Sequence, residues 1–266
     1  MGLVQPPTRR ALTAGLLVLA AYPARAQATQ ADTLMTASHQ AGRFAQARFN
    51  ARLILSSRGG ADRVRQLRGA GKLLEKGAAS ARLMRVEGPA DMRGVATLTV
   101  ERQAAADDLW VYLPSLRRVR RLVSSNRRDP WMGSEFSFGD IVGHEVADWR
   151  HVILRRERMA GVACTLVESL PGRPGLASET GYSRRLSWVR DTDLVPARAQ
   201  FFDLAGGLLK TMTAAEVRTL APGKAQAMQI TMRNERSGAV SRLEFSDFRI
   251  DVTVADSEVA PGALKL

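Results

Sequence analysis

The sequence predicts a mainly β chain (α+β) in which one N-terminal helix leads into a continuous antiparallel meander. Three observations predict it. Helical periodicity stops near Ala47. Beyond that point, short runs rich in Val, Ile, Leu and aromatic residues recur, with a turn signal about every dozen residues. No linker or internal repeat interrupts the series, so residues 27–266 read as a single domain.

The first 26 residues are set apart. Arg9-Arg10 precedes an apolar run from Ala11 to Ala21, and Ala24-Arg25-Ala26 offers small residues at the cleavage-determining positions. This is the pattern of a secretory signal peptide, too short for a membrane span of about 20 residues. Thr8-Arg9-Arg10-Ala11-Leu12 fits a twin-arginine signal and an ordinary Sec signal equally well. The expected location is the periplasm, with cleavage near Ala26.

From Thr29 to about Ala47, Leu34, Ala37, Ala41, Phe44 and Ala45 fall near one helical face, with Thr29 or Asp32 as a cap. Phe49–Ser57 is a strand closed by Gly59-Gly60. Val64–Lys76 alternates loosely and turns at Lys76-Gly77 into Ala81–Val86, which Gly88-Pro89 ends. Val95–Glu101 alternates cleanly, placing Leu98 and Val100 together on one face. Leu109–Leu113 follows, and Leu116–Val123, whose Leu116, Val119 and Val123 also fit a helical stripe, reads as a strand at the sheet's rim. Further strands are expected over Val146–Arg158, Cys164–Leu170, Tyr182–Arg190, Ala197–Leu204, Leu208–Val217, Ala227–Glu235 and Val240–Phe248.

With 266 residues, 45% of them hydrophobic, the chain can bury one sizeable core or two small ones. Its formal net charge of +13 favours anionic lipid head groups or phosphate-bearing polymers as partners. An exported chain makes nucleic acid the weaker choice. The lone Cys164 permits no internal disulfide and reads as a small core hydrophobe. There is no Gly-x-Ser-x-Gly, Walker loop, His-Glu-x-x-His or Cys pair, so no enzyme and no cofactor is expected. His144, Asp148 and His151 would share a face on a helix and could then ligate a metal. Val146, Val152, Ile153 and Leu154 favour a strand instead, where the two His point apart, so no metal is expected.

The most informative stretch runs from Asp107 to Ile141. Its strand carries Trp110 and Tyr112 on one face and Leu109, Val111 and Leu113 on the other, so it needs cover on both. Six arginines then fall within twelve residues: Arg117, Arg118, Arg120, Arg121, Arg127 and Arg128. A Gly-punctuated segment follows with Trp131, Met132, Phe136, Phe138 and Ile141, an unusually apolar loop.

Together with Trp188–Pro196, Phe202–Gly207 and Leu243–Phe248, this stretch resembles the outer-membrane lipoprotein-sorting family, the LolA/LolB-like proteins, over roughly Thr29 to the C-terminus. The resemblance implies a strongly curved antiparallel sheet, an unclosed half-barrel with a few helices over its concave face. It also implies a concavity that holds acyl chains. No single Arg here aligns with the one that holds the lid of the well-studied carrier.

The expected function is therefore a periplasmic carrier or chaperone that binds acyl chains of a lipoprotein or lipid for transfer across the envelope. The alternative is an accessory subunit that docks to an inner-membrane lipid exporter and carries nothing. Leu98, Val100, Trp110, Tyr112, Trp131, Met132, Phe136, Phe138, Ile141 and Trp188 are the expected cavity and cover residues. The six arginines are the expected contact to a head group or partner. Partners are a lipid or lipidated protein, an inner-membrane transporter and an anionic membrane surface.

Overall fold

The structure is a computed structural model that describes residues 1–2, 21–102, 106–143 and 145–265. Residues 3–20, most of the expected leader, and His144 of the weighed metal site lie outside the described residues. Thirteen strands form one sheet: β1 Gln46–Ser56, β2 Arg63–Leu74, β3 Ala79–Gly88, β4 Ala96–Arg102, β5 Asp108–Leu113, β6 Arg118–Leu122, β7 Trp149–Met159, β8 Val162–Pro171, β9 Arg184–Arg190, β10 Pro196–Phe202, β11 Leu208–Ala221, β12 Lys224–Asn234 and β13 Val240–Arg249. Among the described residues three α-helices accompany them, α1 Ala21–Ala41, α2 Phe138–Val142 and α3 Leu176–Thr180, with several short 3-10 turns. None of the described helices is long and apolar enough to cross a membrane.

The strand order is β6-β5-β4-β3-β2-β1-β13-β12-β11-β10-β9-β8-β7, with every neighbouring pair antiparallel. The chain thus meanders outward from β1 to the edge at β6. It then crosses to the opposite edge at β7 and meanders back until β13 pairs with β1. Because β6 and β7 remain edges, the sheet is not closed into a barrel. The crossing segment between them carries Trp131–Ile141 over the sheet.

Strand alternation assigns the two faces. In the β1–β13 register Leu53 pairs with Leu243 and Ala51 with Phe245, all inward, while Arg52 faces Glu244 outward in an ion pair of 3.2 Å. The same alternation turns Thr97, Leu109 and Val111 inward and Ala96, Leu98, Val100, Trp110 and Tyr112 outward. That outer patch is covered by the chain's last stretch, with Val254, Val259, Ala263 and Leu264 packed on it. Arg85 fastens the cover by donating to the Ala263 carbonyl at 2.6 Å and the Leu264 carbonyl at 3.3 Å.

Three local expectations are corrected. The first helix ends at Ala41 rather than near Ala47, because the chain must turn for Gln46 to pair with Lys72 in the sheet. Phe44 consequently leaves the helix and meets Phe248 edge-on at 5.3 Å. Tyr182 precedes β9 and is buried, its hydroxyl donating to the Asp140 carboxylate at 3.0 Å. Val146–Asp148 forms a short helical turn, so β7 begins only at Trp149.

Candidate functional site

A cavity of about 390 Å³ lies between the concave face, α1 and the crossing segment. Its floor is aromatic. Phe49 stacks on Phe248 at 5.3 Å with the rings nearly parallel, and Phe245 meets Phe49 edge-on at 5.2 Å. The β1–β2 register sets Phe49 opposite Gly69, and the ring lies so close that a Cβ at that glycine would fall 2.2 Å from it. Met84, Met232 and Leu243 continue the apolar wall.

The remaining wall is cationic. Arg82 reaches in from β3 and donates to the Ile141 carbonyl at 3.2 Å. Arg185 reaches in from β9, its guanidinium 5.0 Å from the Trp149 ring and 5.6 Å from the Phe201 ring. Burial lowers the pKa of both guanidiniums from the ordinary arginine value. Arg43, just beyond α1, is buried and donates to the Gly77 carbonyl at 3.1 Å. His39 on α1 lies 3.0 Å from the Glu101 carboxylate. Burial by itself would raise Glu101, but the His39 hydrogen bond and the charges of His39, Arg43 and Arg82 hold it below its usual range.

The expected site residues divide between the two faces of the sheet. Phe136 and Ile141 line the cavity. Trp131, Met132 and Phe138 stand behind them in the same core, Trp131 wholly buried with its indole N–H donating to Thr97 Oγ1 at 3.2 Å. Leu98, Val100, Trp110 and Tyr112 lie beneath the C-terminal cover on the opposite face, away from the cavity. Trp188 is also on the outer side, clustered with Cys164 and Leu166 and donating to Glu157. Outward alternation, invisible until the register is known, is the reason in each case.

The arginine run divides as well. Arg117, Arg118, Arg120, Arg121 and Arg128 are exposed, four of them on or beside the edge strand β6. Arg121 pairs with Asp108 and lies 5.8 Å over the Trp110 ring. Arg127 instead turns inward, is buried against Asp107 at 2.8 Å and donates to the Gly143 carbonyl at 2.8 Å. It is a structural ion pair and not a surface contact. His151, weighed as a metal ligand, is held by Ser169 Oγ at 2.8 Å and the Val146 carbonyl at 3.1 Å, and burial lowers its pKa. Among the described residues no group of three His, Cys, Asp or Glu is placed to hold a metal.

Sequence reasoning missed Arg82, Arg185, Trp149 and the Phe49–Phe245–Phe248 floor. The floor had a readable signal, since Leu243 and Phe245 alternate inward on a strand expected from the start. Arg82 and Arg185 had a weaker one: each interrupts the inward face of a strand whose other inward positions are apolar or small.

Similarity to known proteins agrees with this architecture. A family model described as that of an uncharacterised protein matches residues 79–265. A domain described as an outer membrane lipoprotein-sorting protein from Vibrio parahaemolyticus is 26% identical. The alignment covers 90% of this chain and 100% of that one, with a TM-score of 0.83. A DUF1329 family protein from Desulfovibrio piger is 25% identical over 90% of this chain and 99% of that one, with a TM-score of 0.82. A LolA superfamily protein from Nitrosomonas europaea has the same fold at 22% identity, covering 88% and 98% of the two chains with a TM-score of 0.65. No curated protein sequence matches the chain. With an unclosed antiparallel sheet, a covered concave face and these matches, the chain belongs to the LolA-like family.

Proposed function

We propose that the chain is a periplasmic carrier that holds acyl chains of a lipid or lipoprotein during transfer across the cell envelope. The observation that carries this reading is the hollow of about 390 Å³ with its Phe and Met wall. Protein interiors are otherwise filled to crystal density, so an apolar space of this size is an exception that invites a guest. Each methylene seated there contributes about 0.8 kcal/mol, enough for firm binding without polar contacts. The lipoprotein-sorting and LolA superfamily relatives support the same use.

Exposed Leu116 and Val123 flank β6 beside Arg117, Arg118, Arg120 and Arg121. In this reading that edge meets an anionic membrane surface or an inner-membrane transporter at loading. Calorimetric titration with a triacylated lipopeptide and with palmitate tests the carrier function. Wild-type protein binds at least one of them, and Leu243→Trp, which fills the hollow, reduces that affinity more than tenfold. A wild-type chain that binds neither refutes the carrier.

A further inference from the structure

Arg185 is an unusual residue to find against a greasy hollow. Among the described residues its side chain makes no hydrogen bond and no ion pair, and its Nε is buried without a partner. The faces of Trp149 and Phe201 lie against it. Drawing a guanidinium partly out of water without charge-matched hydrogen bonds is costly, and stacking on aromatic faces offsets only part of that cost. The nearest acid relieves it only in part, the Asp140 charge opposing the larger effect of burial without a direct contact. Asp140 already accepts from the Tyr182 hydroxyl at 3.0 Å and the Ser137 amide at 2.8 Å, with Lys210 at 3.5 Å. Glu101, the acid that acts on Arg82, is engaged by His39.

Arg82 arrives from seven strands away in the sheet and spends one N–H on the Ile141 carbonyl. The two arginines therefore approach the same short segment, Asp140–Ile141, from opposite arms of the curved sheet, and both line the cavity. Guanidinium carries five donors in a rigid fork suited to planar or tetrahedral oxyanions. The hollow, near the lower end of the roughly 300–1,000 Å³ typical of small-molecule sites, suits one chain better than several.

We propose that the cavity selects a single-chain amphiphile with an anionic head group, the head group held by Arg185 and Arg82 and the tail lying over the Phe49–Phe245–Phe248 floor. This deepens the carrier reading and rests on it. A purely structural role, with Arg185 as a strut between Trp149 and Phe201, makes the opposite forecast for charge discrimination.

The test is a displacement titration on the delipidated full chain, below micellar concentrations. The ligands are palmitate, its neutral methyl ester, palmitoyl lysophosphatidate and inorganic phosphate. Palmitate or lysophosphatidate is expected to bind at least about tenfold more tightly than the ester, a ratio worth about 1.4 kcal/mol. Whichever anion binds more tightly identifies the head group as carboxylate or phosphate. Arg185→Gln and Arg82→Gln should each erode that ratio while leaving ester affinity within about twofold, and inorganic phosphate should bind far more weakly than either lipid. Equal affinity of the wild type for acid and ester overturns the head-group assignment and leaves the carrier standing. So does an Arg185→Gln variant with an unchanged ratio. Failure of every acyl compound to bind overturns the carrier reading itself. The wild-type ratio needs no variant to fold.

Discussion

Arg127 shares a basic run with five exposed arginines, yet its guanidinium is buried against Asp107 at 2.8 Å. Burial raises the pKa of Asp107, and the charge of Arg127 only partly opposes that shift. Removing Arg127 strands the carboxylate, so Arg127→Met should cost about 3 kcal/mol in urea unfolding at neutral pH. Arg118→Gln and Arg120→Gln, on exposed side chains without a partner acid among the described residues, should stay within about 0.5 kcal/mol. The sign of the pH dependence follows from the raised carboxyl: the folded state holds that proton more tightly than the unfolded one, so the Arg127→Met defect narrows as pH falls. Gly69 makes a second demand at this scale. A methyl group there meets the Phe49 ring at 2.2 Å, so Gly69→Ala should move that ring and weaken acyl binding, read by titration against a wild type of equal melting temperature. Neither demand is written in the sequence. A run of arginines carries no mark of which member turns inward, and Gly69 declares its use only once β1 and β2 are in register.

The crossing segment is the element that most separates expectation from structure. Its apolar residues were expected to cover the cavity, and they are buried within the core, Trp131 completely so. Its backbone is fastened too: the Trp131 amide donates to the Phe136 carbonyl at 2.7 Å and the Phe138 amide to the Asp129 carbonyl at 3.0 Å. Ser137 and Asp140 close the start of α2 reciprocally, side chain to amide in both directions. Trp131→Ala should therefore cost about 3–5 kcal/mol and Ser137→Ala about 1 kcal/mol in denaturant unfolding. The helix α1 is held differently, by Met35 and Leu34 against Val167 and Val189, by Ser38 Oγ donating to the Leu194 carbonyl at 2.7 Å, and by His39 near Glu101. Glu101 has a lowered folded pKa, so its contribution is complete above the ordinary value of 4.5 and is lost as pH falls through the folded value. Wild-type stability should then fall more steeply below that pH than the stability of Glu101→Gln, measured by urea midpoints across the acid range.

At the scale of the molecule, the meander was legible because turn chemistry and period-two alternation are local signals, and every expected strand has its counterpart within a few residues. The rim position of β6 was legible for the same reason, since arginines on both faces exclude a central strand. Long-range pairing was not. Nothing near Phe49 or Phe245 announces that the first and last strands lie side by side. Without that pairing, inward and outward faces cannot be told apart, and Trp110, Tyr112 and Trp188 were expected in the hollow when they lie outside it. The interior wall of Phe, Met and inward-facing Arg emerges only when thirteen strands curve together. Native mass spectrometry of the chain purified from its own cells tests the central claim most directly. The expected spectrum shows the polypeptide plus the mass of an acyl amphiphile, lost on organic extraction and restored by adding palmitate. A bare polypeptide mass, unchanged after palmitate is added, would contradict it.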